Sequence, residues 1–138
     1  MKFPEDLLYT ETHEWVRNEG NQVTIGLTDY AQSQLKDIVY VDMPEAGSEF
    51  KNRESIGVVE SVRAVADVYS PVTGKVAEAN FTLKDHPQFV NEEPYGKGWL
   101  DNTYTPENVG KIKRVFECNQ RQEWMTVCPK GVIYWNNS

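Results

Sequence analysis

Short apolar runs of alternating character, cut at close intervals by Gly, Pro and Asn, constrain this chain more than any other feature. In residues 13–27 the pair Gly20-Asn21 separates two such runs, and Val23, Ile25 and Leu27 fall on one face, which predicts a β-hairpin. Residues 38–43 predict a strand stopped by Pro44 and the turn region of Gly47, and residues 55–62 another carrying Ile56, Val58 and Val59. After a break at Arg63, residues 65–72 and 75–80 are again extended around Pro71-Val72-Thr73-Gly74. Two hairpin-like connections are thus expected side by side. Thr28 is suited to cap a helix of about two turns, with Tyr30, Ala31 and Leu35 turned inward. Residues 86–98 predict a loop rich in Asn, Pro and Gly, ending in a closing strand at Trp99-Leu100. Many short strands in one chain imply a small barrel or sandwich.

Beyond Asp101 the pattern changes. Thr105-Pro106-Glu107 is a helix start, and Val109, Ile112 and Phe116 recur as a helical stripe that should pack on the sandwich. Residues 123–128 and 132–135, around Pro129-Lys130-Gly131, predict a terminal hairpin. The chain is accordingly divided into residues 1–101, a β domain, and residues 102–138, a helix and hairpin packed on it. At 138 residues with 39% hydrophobic content it has material for one core.

Charge and composition exclude several function classes. Twenty-one acids against fourteen bases give a net charge of −7, so nucleic acid is not an expected partner, and the cluster Lys111, Lys113 and Arg114 reads as a solvated face. Cys118 and Cys128, with His13 and His86 far away in sequence, match no zinc pattern. No apolar run approaches the roughly 18 residues of a membrane span, and the first ten residues lack the layout of a secretory signal, so a soluble, unexported chain is expected; it is also expected to be a monomer when free. Phosphate loop, nucleophile elbow and metal-binding run are all missing, so no enzyme is predicted.

What stands out is the run Glu60-Ser61-Val62-Arg63-Ala64-Val65-Ala66-Asp67, a tight turn centred on one long cation. Together with His13-Glu14-Trp15-Val16, Ile25-Gly26-Leu27-Thr28-Asp29-Tyr30-Ala31-Gln32, Tyr69-Ser70-Pro71-Val72-Thr73-Gly74 and Asn91-Glu92-Glu93-Pro94-Tyr95-Gly96-Lys97-Gly98-Trp99-Leu100, it resembles the glycine cleavage system H protein family. The resemblance covers about Tyr9 to Leu100 through separate motifs in the family's order. It implies a mainly β fold, a flattened barrel-sandwich hybrid of lipoyl-domain type, in which a hairpin presents a lysine that a ligase amidates with lipoate. That arm carries an aminomethyl group between glycine decarboxylase, aminomethyltransferase and dihydrolipoyl dehydrogenase. The implied place is the bacterial cytoplasm or, for a eukaryotic mature chain, the mitochondrial matrix.

Position 63 matches the family's lysine, and here it is arginine. Amide formation needs an amine that gives up its proton, whereas a delocalised guanidinium stays protonated and is a poor nucleophile. Arg63 is therefore not expected to carry lipoate, although Glu60, Ser61, Val62, Ala64 and Asp67 keep the ligase's recognition context. The competing readings are a natural paralogue without the carrier role, an engineered block, and modification at Lys51, Lys75 or Lys84, none of which has a comparable place. The divergent residues 102–138 favour the paralogue. Its expected partners are proteins of the glycine cleavage system or the lipoylation machinery; a lipoate pathway of sulfur metabolism, or thiol chemistry at Cys118 and Cys128, is the alternative. In the family the arm docks in a cleft, and the matching positions are Thr12, Glu14, Gln34 and Asp67, where Glu14 and Asp67 are suited to hold an ammonium group. With no arm at Arg63, the expectation is either that the cleft is unused or that Arg63 lies near Glu60 or Asp67 as an exposed ion pair. Trp15, Tyr95 and Trp99 read as packing aromatics, and His13 as a surface or hydrogen-bonded histidine.

Overall fold

A computed structural model describes residues 2–10 and 12–104, and the backbone of residues 112–113 and 134–135. The strands are β1 (Leu8–Tyr9), β2 (Glu14–Asn18), β3 (Gln22–Leu27), β4 (Ile38–Asp42), β5 (Glu49–Phe50), β6 (Ser55–Ser61), β7 (Val65–Tyr69), β8 (Gly74–Ala79), β9 (Asp101–Tyr104), β10 (Ile112–Lys113) and β11 (Tyr134–Trp135). Among the described residues three short helices, α1 (Asp29–Leu35), α2 (Thr82–Asp85) and α3 (Phe89–Glu92), fill the connections. None of these helices is long and apolar enough to cross a membrane.

A six-stranded antiparallel sheet runs β1-β2-β3-β9-β8-β5, and a three-stranded sheet runs β4-β6-β7. Leu27 from the first sheet meets Ile38, Val41, Ile56, Val59 and Val68 from the second, with Leu83, Val90 and Leu100 completing this core. The opposite face of the β2–β3 hairpin buries Leu7, Tyr9 and Trp15, against which Phe3, Tyr30, Tyr95 and Trp99 pack. The three expected packing aromatics thus belong to one cluster, and Trp15 also donates its indole N–H to the Pro94 carbonyl at 2.9 Å.

The β2–β3 hairpin forms as its sequence requires: Gly20 takes φ 86°, a left-handed conformation that a turn glycine adopts without penalty. Thr28 caps α1, accepting from the Ala31 N–H at 3.1 Å, and Ala31 and Leu35 lean on the main core while Tyr30 joins the aromatic one. Strands β4, β6 and β7 lie within their expected segments, and β8 begins at Gly74, one residue before its own. The small strands β1 and β5 were not foreseen; two-residue strands leave no period to read.

Three expectations are corrected. The connection at residues 70–73 is not a hairpin: β7 pairs with β6, and β8 pairs with β5 and β9, so the chain there crosses between sheets. Val72 is buried at the corner, and the Ser70 hydroxyl donates to the Val72 carbonyl at 2.6 Å, which bends the chain without reversing it. The segment 86–98 is not all loop, since α3 lies inside it with Val90 buried, and the closing strand is β9, beginning two residues after Trp99. Ile112 is not helical but lies in β10, paired with Trp135 of β11. Cross-strand pairing has overridden the helical spacing there. The rest of the predicted helix and hairpin, including Val109, Phe116, Cys118 and Cys128, lies outside the described residues.

Candidate functional site: a hairpin tip and the cleft at its base

The β6–β7 hairpin reverses through residues 61–64. Ser61 builds the turn almost alone: its N–H donates to the Ala64 carbonyl at 2.8 Å, and its hydroxyl accepts from the N–H groups of Arg63 and Ala64, both at 3.1 Å. A serine folded onto its own turn frees the next side chains to point outward. Arg63 and Ala64 are exposed, and Val62 and Val65 are 66% and 64% exposed. Glu60, half-buried, pairs in register with Tyr40 on β4 and Val65 on β7.

The expected ion pair does not form. Among the described residues, neither Glu60 nor Asp67 lies within salt-bridge distance of Arg63, and Asp67 accepts instead from the Ser55 hydroxyl at 3.2 Å. Ladder register holds both carboxylates on the strands while Arg63 stands at the tip.

Below the tip lies a cleft of about 330 Å³ between α1, the turn before β2, and β7. Leu27, Tyr30, Leu35 and Val68 give it apolar walls, and Thr12, His13, Gln34 and Asp67 bring polar atoms. Asp67 is four residues from Arg63, about 13 Å along an extended strand, farther than an unmodified arginine side chain reaches. Of the four positions predicted for a docking cleft, Thr12, Gln34 and Asp67 line it together and Glu14 does not.

Glu14 is buried behind Thr12. One carboxylate oxygen accepts from the hydroxyls of Thr10, at 2.5 Å, and Thr12; the other accepts from the Tyr69 N–H at 3.2 Å. Burial pushes its carboxyl up to about 7, against the pull of those three donors. It ties the foot of β7 to β2, and an ammonium group in the cleft would meet Asp67 directly and Glu14 only through Thr12. His13 stands half-buried in the cleft wall at φ 72°, its ring 4.9 Å from that of Tyr30; among the described residues its buried Nδ1 has no hydrogen-bond partner, and burial pulls its pKa below the ordinary imidazole value. Its place in the cleft wall left no signal in the sequence, because the left-handed turn that puts it there is not a glycine turn.

The family model of the glycine cleavage H-protein matches residues 7–127. The chain belongs to this family. Among relatives, the glycine cleavage system H protein of Rubrobacter xylanophilus is 54% identical over 99 residues, covering 72% of this chain and 79% of the relative. That of Bacillus licheniformis is 46% identical over 123 residues, covering 89% and 96%. The crystal structure of a glycine cleavage system H protein from Mycobacterium marinum superposes with a TM-score of 0.72 at 35% identity, over 74% of this chain and 85% of that one. The mainly β sandwich expected from the motifs is therefore the H-protein fold. H proteins carry lipoate covalently, are not themselves enzymes, and interact with the other proteins of the glycine cleavage system.

The described tip presents the Arg63 guanidinium, a poor nucleophile for an amide bond of the kind that holds lipoate in H proteins.

Proposed function

We propose that this H-family chain is a partner-docking module of the glycine cleavage system or of the lipoylation machinery, and that it carries no lipoate at position 63. The observation that carries this reading is Arg63 itself, exposed at a tip whose turn is held by Ser61. Docking needs shape and surface, which Val62, Val65 and the half-buried Glu60 supply; acyl attachment needs a nucleophile, which a guanidinium is not. The cleft lined by Thr12, Gln34 and Asp67 belongs to the same reading as the place where an arm would rest. The protein is proposed to act as a monomer.

Mass spectrometry of the protein from its own cells tests the first half: the unmodified mass is expected, and a lipoyl mass on any lysine refutes it. Arg63→Lys incubated with lipoate ligase, ATP and lipoate is expected to be modified, since the flanking residues are unchanged. The second half is tested by adding the chain in excess to a reconstituted glycine cleavage reaction run with a lipoylated H protein. Competition that slows the reaction is expected, and an unaffected rate would remove the glycine cleavage partners.

A further inference from the structure

Asp101 opens β9, the strand that joins the two halves of the six-stranded sheet. Its side chain is fully buried, and among the described residues neither carboxylate oxygen has a hydrogen-bond partner. The ladder sets it opposite Ile25 on β3 and Ala79 on β8, with Val16 next beyond Ile25. Residues directly opposite in a ladder share a face, so its lateral neighbours are apolar. Val72 packs into the same cluster as Val16 and Ile25. Arg17, Lys75 and Glu78 align with Asn102 or Tyr104 and so belong to the other face. Among the described residues, Glu14, two strands away opposite Leu27, is the titratable group on the face of Asp101.

The two acids differ in support. Glu14 receives three hydrogen bonds; Asp101 receives none. A carboxylate without donors or countercharge in an apolar layer is among the costliest groups to bury, so burial favours the neutral acid and pushes the Asp101 carboxyl up to about 7.

We propose that Asp101 is a pH-sensitive latch in the six-stranded sheet: neutral, it lets β9 lie between β3 and β8; ionised, it reaches water by local opening of β9. The proton passes to solvent on opening and returns on closing. Because β9 lies between β3 and β8, its release parts β1-β2-β3 from β8-β5. In the open state the carboxyl regains its ordinary acidity, so the open form sheds the proton at a lower pH than the closed form. Closing is then strongest below about pH 4 and weakens by roughly tenfold per pH unit up to about pH 7, beyond which it levels off.

Hydrogen–deuterium exchange of the full chain at pH 5 and pH 7, corrected for intrinsic exchange, tests this. Protection of the β9 amides and of their partners on β3 and β8 is expected to fall about a hundredfold in the wild type. Asp101→Val and Asp101→Asn, which have no proton to lose, are each expected to abolish that loss, and Glu14→Gln is expected to retain it. Equal protection at both pH values in the wild type overturns the proposal, as does an undiminished loss in either Asp101 variant. Should neither fold, Glu14→Gln decides: disappearance of the loss there assigns it to Glu14 and overturns the latch.

Discussion

The β2–β3 and β6–β7 hairpins are built from similar residues and put to opposite uses. The first pairs five residues in unbroken register, from Glu14–Leu27 to Asn18–Val23, and buries both faces. Trp15 crosses directly over Gly26, where an added Cβ would come within 2.5 Å of the indole. The second slips register between Ser55 and Gly57, buries one face through Ile56, Val59 and Val68, and leaves Val62 and Val65 in water. Both contain valines, so apolar content alone does not distinguish a hairpin that stabilises from one that presents. The difference is what stands opposite: another layer in one case, solvent in the other. Stability is concentrated where both faces are covered, leaving the tip free to be shaped for contact.

The sharpest way to break this contrast is at Trp15. Trp15→Ala removes the centre of the aromatic core and the hydrogen bond to Pro94, at an expected cost of about 3–5 kcal/mol. Urea unfolding followed by far-ultraviolet circular dichroism measures it. A loss below about 1 kcal/mol would mean that the β2–β3 hairpin is not where stability resides.

Next in size is the pH response of Glu14, the residue that links the two hairpins through the Tyr69 N–H. Its folded carboxyl, at about 7, lies above its unfolded value, so folding retains a proton that the unfolded chain gives up. Its contribution is complete below about pH 4.5 and declines as pH rises toward 7, by at most about 1.4 kcal/mol per pH unit. Denaturation of wild type and Glu14→Gln at pH 5 and pH 7 measures this decline, and the variant is expected to show the smaller change. An equal change in both would remove Glu14 from the balance.

Both hairpins were legible in the sequence because each contains its own turn: Gly20-Asn21 in one, and the break at Arg63 in the other. The segment at Pro71-Val72-Thr73-Gly74 carries equally good turn residues, yet it crosses between sheets. Turn chemistry says that a chain bends and does not say which strand it next joins. The cleft was half legible. Thr12, Gln34 and Asp67 were found by motif position, but alternation along β2 gave no sign that Glu14 faces inward behind Thr12. Asp101 was invisible for a related reason: burial of an acid depends on the partners β3 and β8, contributed from far away in sequence.

A smaller effect is expected at Ser61. Ser61→Ala removes the hydroxyl that accepts from the Arg63 and Ala64 N–H groups while leaving the backbone bond to Ala64 intact. Because the turn is solvent-facing, water replaces much of what is lost, and the expected cost is under about 1 kcal/mol. Amide exchange at Arg63 and Ala64 should nevertheless accelerate several-fold while β2–β3 is unchanged. Unaltered exchange at those two amides would show that Ser61 does not hold the turn.

The smallest effect on stability, and the most telling one for function, is expected when both exposed valines are replaced. Val62 and Val65 flank the tip with two-thirds of their surface in water, so Val62→Ser with Val65→Ser forfeits little burial and should shift unfolding by less than about 0.5 kcal/mol. A partner that covers the tip would remove that same apolar surface from water, and its affinity would fall with the serines. The paired measurement is thermal unfolding beside competition in the reconstituted glycine cleavage reaction. An unchanged melting temperature with competition reduced about tenfold is the expected result. Unchanged competition would place the contact elsewhere, whereas a large drop in melting temperature would mean that the valines are structural and that the two hairpins are more alike than their burial indicates.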